Sequence, residues 1–402
     1  MATQPALAIP DFRRFILARV AANSAQLMQS VAIGWQVYDI THDPTDLGLV
    51  GLALFLPQML LSLVAGHVAD RFSRRRVIQI CLGTQALAAL LLAALAAKGA
   101  GSVLPILGIL LLFAAARAFL GPSMQSLLPL LVPREHLPNA VLWSSSCWQM
   151  AVVGGPALGG LLYGFGPEMV YATVAGLLIL ALLTMGFIAG GRSAPPAGGA
   201  SLKDVLAGVH FIRSRPVLLG AMSMDLFAVL FGGATALLPV YARDILLVGP
   251  WGLGLLRSAP AVGAATCGMW LAHHPPKGRV GRAMLVAVAG FGIATIGFGL
   301  STSFPLSLAA LVAMGACDMV SVYVRQSLVQ LSTPDAMRGR VTAVSQVFIG
   351  ASNELGEFES GITAGWFGAV PAVVLGGVCT LAVVALWRRR FPELAAVDRL
   401  GG

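Results

Sequence analysis

Charged residues are scarce in this sequence: Asp, Glu, Lys and Arg make up 11% of its 402 residues, against about 25% in a soluble domain. Hydrophobic residues make up 57%, and the mean hydropathy is +0.84. A chain with so few polar residues cannot cover a water-facing globule. The composition therefore excludes an ordinary soluble protein and predicts a chain surrounded by lipid.

Lysine and cysteine are also scarce, and each scarcity excludes a class of function. None of the three lysines, Lys98, Lys203 and Lys277, lies in the Gly-x-x-x-x-Gly-Lys loop of an ATP-binding site. The five cysteines lack the spacing of metal ligands. The basic residues form no block with interleaved aromatic residues, so nucleic acid is not an expected partner. We expect no cofactor and no metal, and energy from a gradient rather than from ATP.

Apolar windows of about 20 residues, long enough to cross a bilayer, recur along the chain. They centre near residues 26, 57, 87, 116, 151, 179, 230, 262, 292, 317, 353 and 378. The sequence predicts an all-α membrane protein with a six-helix bundle over residues 1–190 and a second over 216–402. Between them, residues 191–215 are expected to form a cytoplasmic linker with a short amphipathic helix over 201–213.

The basic residues indicate the orientation in the membrane. With the N-terminus in the cytoplasm, the outside segments hold only Lys98 and Arg243, while the arginines at 71–76 and 388–390 lie inside. Positive charge is retained on the cytoplasmic side. The pattern predicts two cytoplasmic termini and an even number of spans.

The two halves repeat at a constant offset of 201 residues. Residues 125–127 and 326–328 are both Gln-Ser-Leu, and five further positions match: Leu130 with Leu331, Pro133 with Pro334, Ser144 with Ser345, Gly155 with Gly356, and Gly160 with Gly361. A parallel repeat of this kind predicts two pseudo-symmetric bundles with a solute path between them.

Residues 66–75 fit the pattern Gly-x-x-x-Asp-Arg-x-(Gly/Ser)-Arg-Arg at the cytoplasmic end of the second span. A glycine permits close helix approach, and an acid here can pair with a basic side chain in one conformation and release it in another. The predicted conformational gate comprises Gly66, Asp70, Arg71, Arg74 and Arg75. The alternative is that the arginines only anchor the helix at the membrane surface.

Span eleven carries three acids, Glu354, Glu357 and Glu359, within an apolar helix, where ionisable groups are costly and usually functional. At about 100° per residue, Glu354 and Glu357 lie on one face, about 60° apart, and their repulsion favours a shared proton. Glu359 points elsewhere. Asp225 in span seven and Asp318 in span ten add two more intramembrane acids.

Arginines also lie within the predicted spans, at Arg19, Arg117, Arg257 and Arg325. A lone arginine near the bilayer centre costs several kcal/mol unless it faces a cavity or an acid. We therefore predict that the five acids, together with Arg19, Arg117 and Arg325, serve proton coupling or substrate binding. The alternative for each is structural ion pairing.

Polar residues of span one recur at three-residue spacing as Asn23, Gln26 and Gln29, followed by Gln36. With Asn353 of span eleven, they are predicted to line a cavity. The alternative is a set of hydrogen bonds between helices.

Span five contains Gly155, Pro156, Gly159 and Gly160. The glycines are expected to thin the helix for close packing, and the proline permits a kink.

The motif at 66–75 resembles that of the major facilitator superfamily, and residues 155–160 resemble the Gly-Pro-x-x-Gly-Gly signature of its proton-driven exporters. Residues 35–41, 46–52, 65–71 and 355–361 are similar to the enterobactin exporter branch. The resemblance implies a twelve-helix major facilitator fold. It also implies efflux of a catecholate siderophore or similar hydrophobic compound across a bacterial inner membrane, driven by protons; we expect a monomer.

Four alternatives remain open. The same chain could import its solute or let it diffuse, and it could export macrolides or several drugs instead of a siderophore. A membrane enzyme would need a metal-ligand or nucleophile motif, which the sequence lacks. A non-transporting receptor or scaffold would not need acids in three different spans.

Overall fold

A computed structural model describes residues 6–99, 101–189, 202–276 and 278–399. Every regular element in these ranges is a helix. The first part of the predicted linker, residues 191–201, lies outside the described residues.

Six long helices come first: α1 (Pro10–Thr41), α2 (Pro44–Arg71), α3 (Arg74–Ala97), α4 (Leu104–Leu131), α5 (Leu137–Tyr163) and α6 (Pro167–Gly186). The later helices are α7 (Leu202–Arg213), α8 (Pro216–Phe231), α9 (Leu238–Val240), α10 (Gly249–His273), α11 (Val280–Leu300), α12 (Phe304–Ser332), α13 (Asp335–Phe367), α14 (Ala369–Arg390) and α15 (Pro392–Ala396).

The seventh span is a broken helix. After α8 ends, the chain continues through a 3-10 turn at Ala234–Leu237, α9 and a π-helical turn at Tyr241–Ile245. Glycines at 232 and 233 follow α8 directly, and glycine weakens a helix interior. Residues 216–245 together still form one segment long enough to span a bilayer.

Eight segments in the described part of the chain are long and apolar enough to cross a membrane: α3, α4, α6, α11, α12, α14, residues 216–245 and the first part of α2. The other four long helices, α1, α5, α10 and α13, carry more polar residues. Each predicted centre falls within a separate one of these twelve segments. The predicted all-α membrane architecture is therefore confirmed.

The chain divides into two compact units. The first comprises Met1–Thr41 and Ala53–Ala200. Within it, α1 packs on α5 and α6, while α3 packs on α4 and α6. A Cβ at Gly155 would lie 2.8 Å from Leu27 Cβ, and one at Gly159 would lie 2.9 Å from Met28 Cα. These two glycines of α5 thus lie at a close crossing with α1.

The second unit comprises His42–Leu52 and Ser201–Gly402. Within it, α11 packs on α12 and α14, and α8 packs on α13 and α14. The pairs α11–α12 and α11–α14 correspond to α3–α4 and α3–α6 of the first unit. The repeat in the sequence thus has a counterpart in the helix pairs of each unit. The short helix α7 packs on α13 and α8.

Two arginines bind the C-terminal end of α6. The Arg14 guanidinium donates to the Phe187 carbonyl at 2.8 Å, and that of Arg75 donates to the carbonyls of Gly186 and Ile188. The last carbonyls of a helix lack partners within it, and positive charge is favourable there. Arg75, predicted as part of a gate, is therefore also a cap for α6.

The segment after α15 caps the start of α11. The Asp398 carboxylate accepts a hydrogen bond from the Arg279 backbone N–H at 2.9 Å. The N–H groups of Val280 and Gly281 donate to the carbonyls of Asp398 and Val397 at 3.3 and 3.0 Å. A carboxylate at a helix N-terminus also interacts favourably with the helix dipole. Residues 397–398 therefore satisfy N–H groups that α11 cannot satisfy by itself.

We expect Asp398→Ala to lower the free energy of unfolding by about 1 kcal/mol, the usual effect of removing a capping side chain. Asp398→Asn keeps an oxygen acceptor and should lose less. Thermal unfolding of the purified protein in detergent measures both. An alanine variant as stable as the parent would show that the Asp398 carboxylate is not a significant cap.

Candidate functional site

A buried ion pair joins two of the predicted residues in the second unit. Arg325 Nε of α12 lies 3.2 Å from Asp225 Oδ2 of α8. Asp225 is 7% exposed and Arg325 3% exposed. Charges taken out of water this completely require compensation, and each of these two compensates the other.

Two serines complete the contacts of this pair. Ser321 Oγ donates to Asp225 Oδ1 at 3.1 Å, and Arg325 Nη1 donates to Ser345 Oγ at 3.4 Å. Both oxygens of Asp225 therefore have a partner. Because Ser345 lies on α13, Arg325 connects α12 to both α8 and α13.

Asp318 lies on the same face of α12. At about 100° per residue, positions 318 and 325 are about 20° apart around the helix and about 10 Å apart along its axis. Ser321 lies between them. Because they are three and four residues apart, Asp318, Ser321 and Arg325 all face α8. We call these three residues, together with Asp225, the acid–arginine cluster.

Two small cavities lie beside the acid–arginine cluster. The first, with about 10 Å³ of space for water, is bordered by Asp225, Asp318 and Ser321, with Val288 and Phe291 of α11 in its apolar wall. The second, also with about 10 Å³ of space for water, is bordered by Asp225 and Arg325 and by the α13 serines Ser345 and Ser352. Sites for small molecules usually enclose about 300–1,000 Å³. The cavities therefore suit water rather than a large solute.

The charges of the cluster do not balance. Two carboxylates and one guanidinium are the only charged side chains that border the two cavities among the described residues. With both acids ionised, the cluster carries one net negative charge, and a single proton neutralises it. The arrangement can therefore exchange one proton between a neutral and a charged state.

The acids of span eleven have partners of their own. Glu357 Oε1 lies 3.6 Å from Arg257 Nη2 of α10, with both side chains about one-fifth exposed. Glu359 accepts a hydrogen bond from Thr363 at 2.9 Å. Glu354 is half-buried one turn before Glu357. Glu357 is thus compensated by an arginine that the sequence had not assigned to the site.

Glycines hold the acid-bearing part of α13 close to its neighbours. A Cβ at Gly361 would lie 2.5 Å from Gly48 Cα at the start of α2, and one at Gly51 would lie 3.0 Å from Glu357 Cβ. On another side, a Cβ at Gly356 would lie 2.9 Å from the Leu230 carbonyl oxygen of α8. This part of α13 therefore leaves no room for larger side chains at these positions.

The predicted cavity-lining residues of α1 divide into two kinds. Gln36 accepts a hydrogen bond from the Tyr171 hydroxyl of α6 at 2.6 Å, and Gln26 donates to Gln85 of α3 at 3.4 Å. These two form interhelical hydrogen bonds. In contrast, Asn23 Nδ2 and Gln29 Oε1 are buried without a hydrogen-bond partner in the described part of the chain. Asn23 and Gln29 remain the better candidates for contact with a solute or with water.

The remaining predicted residues stay predictions. Arg19 and Arg117 are half-buried in α1 and α4, and Asn353 is exposed and donates to the Ile349 carbonyl at 3.0 Å.

Much of the predicted gate likewise stays untested. The Asp70 side chain lies outside the described residues. Arg71 is exposed, and Arg74 Nε is buried without a hydrogen-bond partner among the described residues. No described atom comes within 4 Å of the position of a Cβ on Gly66. The close helix approach expected at Gly66 stays a prediction.

Sequence reasoning missed Ser321 and Ser345 as partners, and it placed Arg257 in a span without assigning it to the site. A signal for Ser321 was available, because it shares one helical face with Asp318 and Arg325. Ser345 and Arg257 lie on other helices than the acids or arginines they contact, so only the packing of the helices reveals them.

We expect Arg325→Gln to lower the free energy of unfolding by about 3–5 kcal/mol, because it leaves Asp225 buried without a counter-charge. The double variant Asp225→Asn/Arg325→Gln should recover much of this loss. Arg257→Gln, at the more exposed pair, is the matched control and should cost less. Unfolding in mixed detergent micelles measures all three. A double variant less stable than Arg325→Gln alone would contradict the ion-pair assignment.

A second prediction concerns the contact of α13 with the start of α2. Gly361→Ala should destabilise the protein by about 1–3 kcal/mol, the usual cost of overpacking, because its Cβ would meet Gly48. Gly297→Ala of α11 is the control, since no described atom lies within 4 Å of its Cβ position. The same unfolding assay compares them, and equal stabilities would argue against a tight contact.

Comparisons with known proteins agree on the type of protein. A family model described as transmembrane secretion effector matches residues 2–400. The enterobactin exporter EntS of Shigella dysenteriae serotype 1 is 28% identical over 409 residues, which cover 97% of this chain and 96% of the relative.

Solved structures show the same fold. A bacterial homologue of the human lysosomal transporter Spinster has a TM-score of 0.74 at 15% identity, covering 98% of this chain and 97% of that one. A bacterial homologue of the iron transporter ferroportin has a TM-score of 0.71 at 17% identity, covering 98% and 100%. Family and fold are those of multi-pass membrane transporters, not of enzymes. The chain belongs to the transmembrane secretion effector family, within the major facilitator superfamily.

Proposed function

We propose that this chain is a secondary transporter that exports a catecholate siderophore similar to enterobactin in exchange for protons, by alternating access. We further propose that it acts as a monomer in a bacterial inner membrane, with both termini in the cytoplasm. The observation that carries the proton coupling is the acid–arginine cluster, in which Arg325 is paired with Asp225 and Asp318 adds a second carboxylate without a direct counter-charge.

The net charge of the cluster supports a proton as the coupling ion. A cluster with one uncompensated carboxylate in a lipid-surrounded helix bundle is costly when charged, and one proton removes that cost. A step that depends on the charge of the cluster is therefore driven by the proton concentration on the side to which the cluster is exposed. The small size of both cavities also favours a proton over a larger ion or solute.

Two observations support the energy source and the direction. The sequence has no ATP-binding loop, so the energy must come from a gradient or from another protein. The Gly-Pro-x-x-Gly-Gly residues of α5 resemble those of proton-driven exporters. The distribution of Lys and Arg supports cytoplasmic termini by the positive-inside rule.

Relatives along nearly the whole chain support the substrate class. Relatives named as enterobactin exporters align over 97% of the chain. The cavities beside the acid–arginine cluster are too small for a siderophore, so the substrate must bind elsewhere. Asn23 and Gln29, buried in α1 without hydrogen-bond partners among the described residues, are suitable polar contacts for it.

Export of enterobactin from living cells tests this proposal. Bacteria that synthesise enterobactin but lack an exporter should release more of it when they express this chain, and a proton uncoupler should abolish the increase. Asp318→Asn and Glu357→Gln should remain in the membrane and lose proton-driven export. Glu168→Gln, an exposed acid outside both charged groups, should export at the parent rate.

Three outcomes would contradict parts of the proposal. Resistance to macrolides without release of enterobactin would favour a drug exporter. Export that survives the uncoupler would exclude proton coupling. No transport of either compound by protein present in the membrane would leave a receptor or scaffold.

A further inference from the structure

We propose that Asp318 is the residue that takes up the coupling proton, while Asp225 stays ionised as the counterion of Arg325. This assignment rests on the proposed function, in which the acid–arginine cluster exchanges one proton. It separates two carboxylates that the sequence treats alike.

The contacts of Asp225 are those of a permanent carboxylate. Its Oδ2 lies 3.2 Å from Arg325 Nε, and its Oδ1 accepts a hydrogen bond from Ser321 at 3.1 Å. A positive neighbour and a donated hydrogen bond both favour the ionised form of a carboxyl group. A proton on Asp225 would also leave Arg325 without its counter-charge in a site that is almost fully buried.

The contacts of Asp318 are different. It forms no hydrogen bond and no ion pair with any described residue, although it is half-buried. The charged group facing it from α8 is Asp225, and the one on α12 is Arg325, two turns away. The Cys317 thiol beside it on α12 is titratable but uncharged. The α11 residues that border the same cavity, Val288 and Phe291, are apolar. Its surroundings therefore offer a negative neighbour but no direct counter-charge.

Like charges that share a site disfavour double ionisation, so the first proton goes to the carboxylate without a counterion. That carboxylate is Asp318. The adjoining cavity borders both acids and is large enough for water, which buried polar groups commonly retain. A hydronium ion can therefore transfer a proton to an Asp318 oxygen, and the neutral acid can return that proton to water in the reverse step.

The state of Asp318 also affects the helices joined by Arg325. Ionised Asp318 repels the Asp225 carboxylate, whereas neutral Asp318 leaves the Asp225–Arg325 pair undisturbed. Arg325 in turn donates to Ser345 of α13. Proton uptake at Asp318 thereby strengthens the connection of α12 to α8 and α13, and proton release weakens it.

Infrared spectroscopy tests the assignment without substrate. The full chain in lipid nanodiscs is titrated with acid, and the C=O band of a newly protonated buried carboxyl group is recorded. We expect this band in the parent protein and in Glu168→Gln, which changes an exposed acid, and its loss in Asp318→Asn. Asp318→Glu should restore a band at a shifted frequency, since it restores a carboxyl group at the same site. The amide bands check that each variant is folded.

A band that survives Asp318→Asn and disappears in Asp225→Asn would assign the proton to Asp225 and overturn the inference. A parent protein with no titrating buried carboxyl band would overturn it as well. Because the experiment measures proton uptake and not export, an uncoupler-sensitive export activity would leave the proposed function standing in either case.

Discussion

A buried arginine in a lipid-surrounded protein requires a counter-charge, and this requirement organises the second unit. Arg325 meets it with Asp225, and the two side chains fix how α8 and α12 face each other. The hydrogen bond to Ser345 extends the same constraint to α13. Asp318 adds a second carboxylate, but no second arginine borders the two cavities in the described structure. The acid–arginine cluster is therefore neutral only when it holds one proton. Stability and the proposed coupling therefore involve the same groups.

The second unit contains a separate pair of charges at Arg257 and Glu357, and the two pairs differ in their surroundings. The Arg325–Asp225 pair is almost fully buried, whereas the side chains of the Arg257–Glu357 pair are about one-fifth exposed and 3.6 Å apart. Electrostatic attraction weakens where water has access. The more exposed pair can thus break at lower cost during a conformational change, while the buried pair persists. Close glycine contacts hold the part of α13 around Glu357 against the start of α2.

The sequence was sufficient to predict the helices, because each membrane-spanning helix requires a long apolar stretch that few other structures require. It also identified Asp225, Asp318 and Arg325 as unusual, since ionisable groups are rare in spans. It could not predict which acid meets which arginine. Helical periodicity relates residues of one helix, such as Ser321 and Arg325, but carries no information on how α8 and α10 pack against α12 and α13. For the same reason, the sequence could not show whether Gln26 and Gln36 form hydrogen bonds between helices or line a cavity.

The assignment of residues 42–52 to the second unit has a consequence for biogenesis. Synthesis proceeds from the N-terminus, and early segments usually fold first. Gly48 and Gly51, however, pack against α13, which is synthesised much later. The first turns of α2 therefore enter the bilayer before α13 is made. Until then, the surface around Gly48 and Gly51 is covered only by lipid or by insertion factors. If the two halves were produced as separate polypeptides, divided between residues 190 and 201, the N-terminal fragment would carry this surface and the C-terminal fragment would carry α13.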